Sequence, residues 1–89
     1  MNELASERPR LARKAMLRHD PVRNAELLLL PEKVVTLNPT GAAILELCDG
    51  TRTVADIARQ LEARFDHPNL EPDVEAFVAR ISEQGAFER

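Results

Sequence analysis

The stretch LNPTGAAILELCDGTRTVADI, residues 37–57, contains two helix starts and one helix stop. Asn38 can accept a hydrogen bond from an orphan amide of a first turn, and Pro39 at the first helical position lacks only an N–H that would go unpaired there. A strand running into this pair ends at Leu37. The following helix, about ten residues long, places Ala43, Ile44, Leu47 and Cys48 on one apolar stripe and stops at Asp49-Gly50, where glycine turns left-handed without a Cβ clash. Thr53 caps the next helix, Asp56 completes a weak capping box, and Val54, Ile57, Ala58, Leu61 and Phe65 form its stripe.

Upstream, three short runs each end in a turn signal. Residues 14–19 close at Asp20-Pro21, residues 25–30 at Pro31-Glu32, and the β-branched KVVTL, residues 33–37, at Asn38-Pro39. They read as an antiparallel meander. Residues 1–9 have no periodic apolar pattern and read as a flexible tail before a single domain spanning residues 10–89. Downstream, a third helix opens at Pro72 with Glu71, Asp73 and Glu75 at the positive end of its dipole and closes at Gly85. Val74, Phe77, Val78 and Ile81 form its stripe, and the final AFER adds a short strand or lies on the core through Phe87. Three strands followed by three helices give an α+β fold of winged-helix type.

Composition narrows the function. A chain of 89 residues with 44% hydrophobic content supports one modest core. Its single cysteine permits no internal disulfide, and His19 and His67 have no metal-ligand spacing, which points to a reducing, cytoplasmic setting without a metal. The longest apolar run, Leu27 to Leu30, is too short to cross a membrane. Net charge is −3 but uneven: residues 1–23 hold six bases and three acids, and residues 24–89 six bases and twelve acids. The basic end is a solvated tail or a surface for an acidic partner.

Neither catalysis nor nucleic-acid binding is supported. Cys48 sits on an apolar stripe where an inert thiol is expected, the histidines flank turns, and Gly41, Gly50 and Gly85 are too scattered for a phosphate loop. No catalytic residue and no cofactor is assigned. A recognition helix needs basic and amide side chains, yet residues 71–84 hold four acids (Glu71, Asp73, Glu75, Glu83) against Arg80. Phe65, Phe77 and Phe87 sit at core-like positions rather than on a base-stacking platform. What remains is the sheet edge: KVVTL carries only Lys33 as a guard, so it is covered by the protein's own helix, pairs with a second copy, or takes an extended peptide as an extra strand.

The segments LLLLPEKVVTL, LNPTGAAILELCDGTRTVADIARQLEARF and PDVEAFVARISEQGAF resemble, in this order, the pyrroloquinoline quinone (PQQ) biosynthesis protein D (PqqD) family, over about residues 9–87. The most specific parts are Leu37 to Gly41, the Cys48-Asp49-Gly50 turn with Thr53, and Asp73-Val74 followed by Phe77. The basic segment Arg8 to Arg18 matches no family motif. The resemblance implies a non-enzymatic peptide chaperone. Such a chaperone binds the leader of a ribosomal precursor, PqqA, and presents it to a radical S-adenosylmethionine enzyme, PqqE, that cross-links Glu and Tyr side chains. It also implies where the leader lies, beside Lys33, Val34, Val35, Thr36 and Leu37 and over the third helix at Asp73, Val74, Phe77, Arg80 and Ile81. Open alternatives are a leader-binding domain of another peptide-modifying pathway and a winged-helix DNA regulator. A homodimer through the strand edge or an exchanged N-terminal hairpin is a further expectation.

Overall fold

In a computed structural model, which describes residues 7–88, the chain forms three strands followed by three helices. The strands are β1 (Met16–Asp20), β2 (Ala25–Leu30) and β3 (Lys33–Leu37). The helices are α1 (Pro39–Glu46), α2 (Val54–Phe65) and α3 (Glu71–Ser82). The antiparallel sheet has the order β1-β2-β3, so the expected α+β order of a meander and three helices is the observed one. Pro31 and Glu32 alone turn β2 into β3, with Leu30 opposite Lys33. The β1–β2 turn is longer: the Asp20 carboxylate accepts from the Val22 amide at 3.0 Å, and Asn24 closes it at a φ of 52°.

Strand alternation sorts the sheet into two faces. Leu17, Leu28 and Val35 form one cross-strand row and pack on the core, whereas Met16, Leu29 and Val34 form the neighbouring row on the opposite face. Leu28, Ile44, Leu45, Val54, Ile57, Leu61 and Val74 are the largest fully buried side chains, drawn from β2 and all three helices. Among the described residues no polar or charged residue is buried.

The caps are those the sequence announces. Asn38 Oδ1 accepts from the Gly41 amide at 2.7 Å. Thr53 Oγ1 accepts from the Asp56 amide at 3.0 Å while Asp56 Oδ2 accepts from the Thr53 amide at 3.2 Å, so aspartate closes the box despite being one methylene shorter than glutamate. α3 begins at Glu71 rather than Pro72, and instead of a side-chain cap at Leu70 the Glu62 carboxylate accepts from the Leu70 amide at 2.9 Å.

Several boundaries differ from expectation for local reasons. α1 ends at Glu46 rather than Asp49, because the Leu47 and Cys48 amides donate to the Ile44 and Leu45 carbonyls and tighten the last turn. Its buried residues run without a gap from Gly41 to Leu45, so it has no single stripe: the helix is enclosed by the sheet and its sister helices, and Leu47 is only half-buried. β1 begins at Met16 rather than residue 14, since Ala15 donates to the Ala12 carbonyl and turns the chain at Arg13-Lys14. Phe65 is not core. At the last residue of α2 it lies beyond Leu61, the final buried position, and is 42% exposed.

The chain ends are tied together. Ala12 donates to Ala86 at 2.7 Å and Glu88 to Arg10 at 2.8 Å, while Phe87 also packs on the core, so the final segment both pairs and packs. Of the expected tail, residues 1–6 lie outside the described residues. The carbonyls of Glu7 and Pro9 accept from the Val54 and Gly50 amides at 2.9 and 3.0 Å. Gly50, at a φ of 86°, lies against the Arg10 side chain, which a Cβ there would meet at 3.1 Å.

Two outcomes follow from these contacts. Thr53→Ala removes the acceptor for the Asp56 amide, and urea unfolding should show a loss of about 1 kcal/mol. Hydrogen bonds from Thr53, with Arg59 nearby, hold the Asp56 carboxyl below its ordinary 3.8. A depressed folded pKa stabilises above the unfolded value and loses that contribution as pH falls through the folded one. The contribution of Asp56 should therefore be constant above about pH 5 and be lost below about pH 4, so that acid destabilisation is less steep in Asp56→Ala.

Candidate functional site

The free edge of β3 is fixed by its turn. A two-residue hairpin makes the flanking pair, Leu30 and Lys33, the first hydrogen-bonded one, and the pattern then alternates. Val35 and Leu37 therefore point their N–H and C=O groups at β2, whereas Val34 and Thr36 point theirs outward. The side chains follow the other alternation: Lys33, Val35 and Leu37 face the helices, and Val34 and Thr36 face away.

α3 lies across from this edge. At one end the Lys33 ammonium donates to the Gln84 side-chain oxygen just past α3. At the other, the ring of Phe77 lies against Gly41 in the first turn of α1, so closely that a Cβ on Gly41 would sit 2.8 Å from a ring carbon. Gly41 is thus required by the approach of an aromatic ring, besides donating its amide to Asn38. Lys33 guards the edge only at its start.

Between α1, α2 and α3, next to the end of β3, opens a groove of about 610 Å³. Ile44, Leu61, Leu70 and Val74 supply apolar lining, and Phe65 and Phe77 stand at its sides. Each ring carries a guanidinium, Arg64 over Phe65 and Arg80 over Phe77, both 5.5 Å from the ring centre. Asp73, His67, Asn38 and Thr40 provide the polar rim.

Of the residues singled out in the sequence, Asp73, Val74, Phe77 and Arg80 come together at this groove, and Val34 and Thr36 offer the open backbone edge. Val35 and Leu37 pack inward, and Ile81 is buried at 2% exposure in the core without lining the groove. Sequence reasoning missed Gly41, Phe65 and His67. Gly41 stood in the quoted motif, but its proximity to Phe77 is a tertiary contact. Phe65 is missed because an apolar residue at helical spacing looks like core wherever the core ends.

Little here can do covalent chemistry. Burial, with Asp49 adjacent, pushes the Cys48 thiol up to about 12, and its Sγ donates to the Ile44 carbonyl at 3.2 Å. The Asp49 carboxyl is held low, chiefly by the Thr51 hydroxyl and amide, and works as turn chemistry. His19 Nδ1 lies 2.6 Å from Glu26 on the sheet, away from the groove. Among the described residues no cluster of His, Cys, Asp or Glu can hold a metal ion, and no helix is long and apolar enough to cross a membrane. Native protein should leave Cys48 unmodified by a thiol reagent at about pH 8 and react fully once unfolded; fast native labelling would show the thiol to be accessible.

Known proteins share this architecture. The sequence profile of coenzyme PQQ synthesis protein D (PqqD) matches residues 26–86. The chain is 37% identical over 86 residues to the bifunctional coenzyme PQQ synthesis protein C/D of Methylorubrum extorquens, covering 94% of this chain and 23% of that one. It is 41% identical over 59 residues to the PqqA binding protein of Methylococcus capsulatus, covering 66% of this chain and 63% of that one. To the PqqA binding protein of Rhodopseudomonas palustris it is 35% identical over 82 residues, covering 90% and 80%. It thus spans less than two thirds of the first two relatives. The solution structure of the PqqD truncation of Methylobacterium extorquens PqqCD, described as a functional, stand-alone recognition element for ribosomally synthesised and post-translationally modified peptides, is 35% identical, with a TM-score of 0.80 over 100% of both chains. With the profile running from Glu26 in β2 to Ala86 beyond α3, and the same fold in a 35%-identical structure, the chain belongs to the PqqD family.

Proposed function

We propose that this chain is a peptide chaperone of pyrroloquinoline quinone biosynthesis. It binds the precursor PqqA as an added strand on β3 and presents it to the radical S-adenosylmethionine enzyme PqqE in the cytoplasm, contributing no catalytic group of its own. The observation that carries this reading is the open edge at Val34 and Thr36 on a strand that runs directly into Asn38, at the rim of an aromatic, apolar groove between α1, α2 and α3. It is supported by relatives named PqqA binding protein. Backbone pairing is indifferent to sequence, so the edge supplies affinity and the groove supplies choice. A leader-binding role in another peptide-modifying pathway rests on the same edge and differs only in the peptide. A DNA regulator is disfavoured by Glu71, Asp73, Glu75 and Glu83 on α3 and its adjoining turn.

An added strand also has two faces. Its residues opposite Val34 and Thr36 share their outward face, while the residue opposite Val35 shares Val35's face, on the helix side of the sheet. Where the peptide continues past the end of β3 to the groove, an apolar side chain is the partner that Phe77, Val74 and Leu70 favour, with Asp73 and Arg80 beside it.

Amide shifts on titrating labelled protein with PqqA should be largest at Val34 and Thr36 and in the second half of α3; shifts that spare β3 and gather on α2 would overturn the strand-addition mode. Replacing the central contact residue of the peptide by proline removes a donor worth about 0.5–1.5 kcal/mol and should weaken binding up to about tenfold. An unchanged Kd would mean that side chains alone dock. Phe77→Ala should lose affinity and about 2 kcal/mol of stability, below the ~3–5 kcal/mol of a fully buried phenylalanine because the ring is only partly buried against the core. Gly41→Ala should displace the ring and lower affinity while costing about 1–3 kcal/mol. Light scattering should show that any homodimer using the β3 edge dissociates as peptide is added, whereas one formed by an exchanged N-terminal hairpin would not.

A further inference from the structure

The sheet has a second apolar surface that the peptide edge does not use. Met16, Leu29 and Val34 form one row across the three strands on the face opposite the helices, and Leu27 stands in the next row between Arg18 and Thr36. Met16 is 50% and Val34 59% exposed, and neither they nor Leu27 and Leu29 pack on the core. Contiguous apolar groups on a solvent-facing sheet, rimmed by charge, mark an interaction surface. The rim is net basic: Arg18 and Asp20 lie on this face, Asp20 is paired with Arg23, and Arg18, with Arg13 and Lys14 that lead into β1, has no ion pair among the described residues.

We propose that this outer sheet face is a docking surface for a protein that presents an apolar patch with an acidic rim, and that the bound peptide strand completes it. Charge complementarity identifies the partner's rim, since the strand acid on this face, Asp20, is engaged by Arg23 and Arg18, Arg13 and Lys14 are left unpaired. Continuity with the peptide edge gives the second half, which rests on the strand-addition reading. The peptide residues that pair with Val34 and Thr36 send their side chains to this same face, beside Val34. Strands of five, six and five residues present a face of roughly 14 by 18 Å, well short of the ~800 Å² per partner of a stable complex, and a fourth strand adds about 5 Å of width. Even the four-stranded face falls short of that area, so neither a second copy nor another partner is held by this face alone. A partner that also touches the peptide gains more when the peptide is in place, and so distinguishes loaded from empty protein.

The test uses purified PqqE as the probe, titrated against protein with and without PqqA at low and moderate salt. Met16→Glu and Arg18→Glu are the variants. Both side chains are exposed and lie two strands from the peptide edge, so thermal melts should match those of the parent. Each should weaken PqqE binding at least tenfold and leave PqqA affinity within twofold. Arg18→Lys should restore binding, added salt should weaken it, and peptide-loaded protein should bind PqqE more tightly than empty protein. PqqE binding unaffected by both charge changes would overturn the proposal. So would parallel loss of PqqA affinity, or variants that abolish only self-association or only binding to phosphatidylglycerol vesicles. Equal PqqE affinity for loaded and empty protein would overturn completion of the face by peptide. Should PqqA fail to bind at β3 at all, the strand-addition reading fails, and the same variants with PqqE and empty protein still decide the face.

Discussion

The contact between the Phe77 ring and Gly41 sets the position of α3 against the rest of the molecule. It can form only because Gly41 has no Cβ: a methyl group there would lie 2.8 Å from the ring edge and 3.1 Å from Asn38 Oδ1, inside the very cap that starts α1. One residue thus serves two neighbours, giving its amide to the cap and its vacant side-chain volume to the ring. The consequence reaches the proposed peptide site. The same ring, with Ile44 and Leu61, lines the groove between the helices, and β3 stands at the edge of the sheet beside the strand-to-helix turn where that groove begins.

An unpaired edge is usually a hazard, because it templates aggregation. In this chain the edge is short, five residues, begins with Lys33, and faces helix α3, which limits how a flat sheet could approach from that side. The same features suit a single extended peptide. Arg64 and Arg80 cover the two phenylalanines of the groove, so its aromatic surface is partly masked by cations that can swing aside. The proposed function by backbone pairing needs no reactive group, and the chain's candidates are otherwise engaged: Cys48 is buried, and Asp49 and Asp56 serve turns and caps.

The charge asymmetry has a structural counterpart. The bases Arg13, Lys14 and Arg18 belong to β1 and its approach, at the far edge of the sheet from β3, and the acids Glu71 and Asp73 open α3. Net positive charge thus gathers around β1 and net negative charge at the start of α3, while α2 interleaves Asp56, Arg59, Glu62 and Arg64. A binder of one peptide needs no such division. A protein that holds a peptide on one edge and offers another surface to a larger partner has a use for it, and the segment Arg8 to Arg18 that matches no family motif lies partly on that second surface.

Much of the fold was legible because its signals are local. Asn38-Pro39, Thr53 with Asp56, and Asp49-Gly50 act through hydrogen bonds and dihedrals within a few residues, so their identities alone announce where α1 and α2 start and where the chain turns between them. The β-branched residues of KVVTL and the turn signals that bound it likewise showed the third strand, and its lack of guards beyond Lys33 showed an edge worth considering. What the sequence could not hold is which residue meets which across the fold. Helical spacing placed Phe65 and Ile81 alike on apolar stripes, yet one ends on the groove and the other in the core, because burial depends on where neighbouring elements stop. Gly41 looked like one more helix residue until Phe77, far along the chain, filled the space its missing side chain leaves. Local order came from the sequence by itself; the groove, the open edge beside it and the two faces of the sheet were decided only by packing, since each is a relation between distant segments.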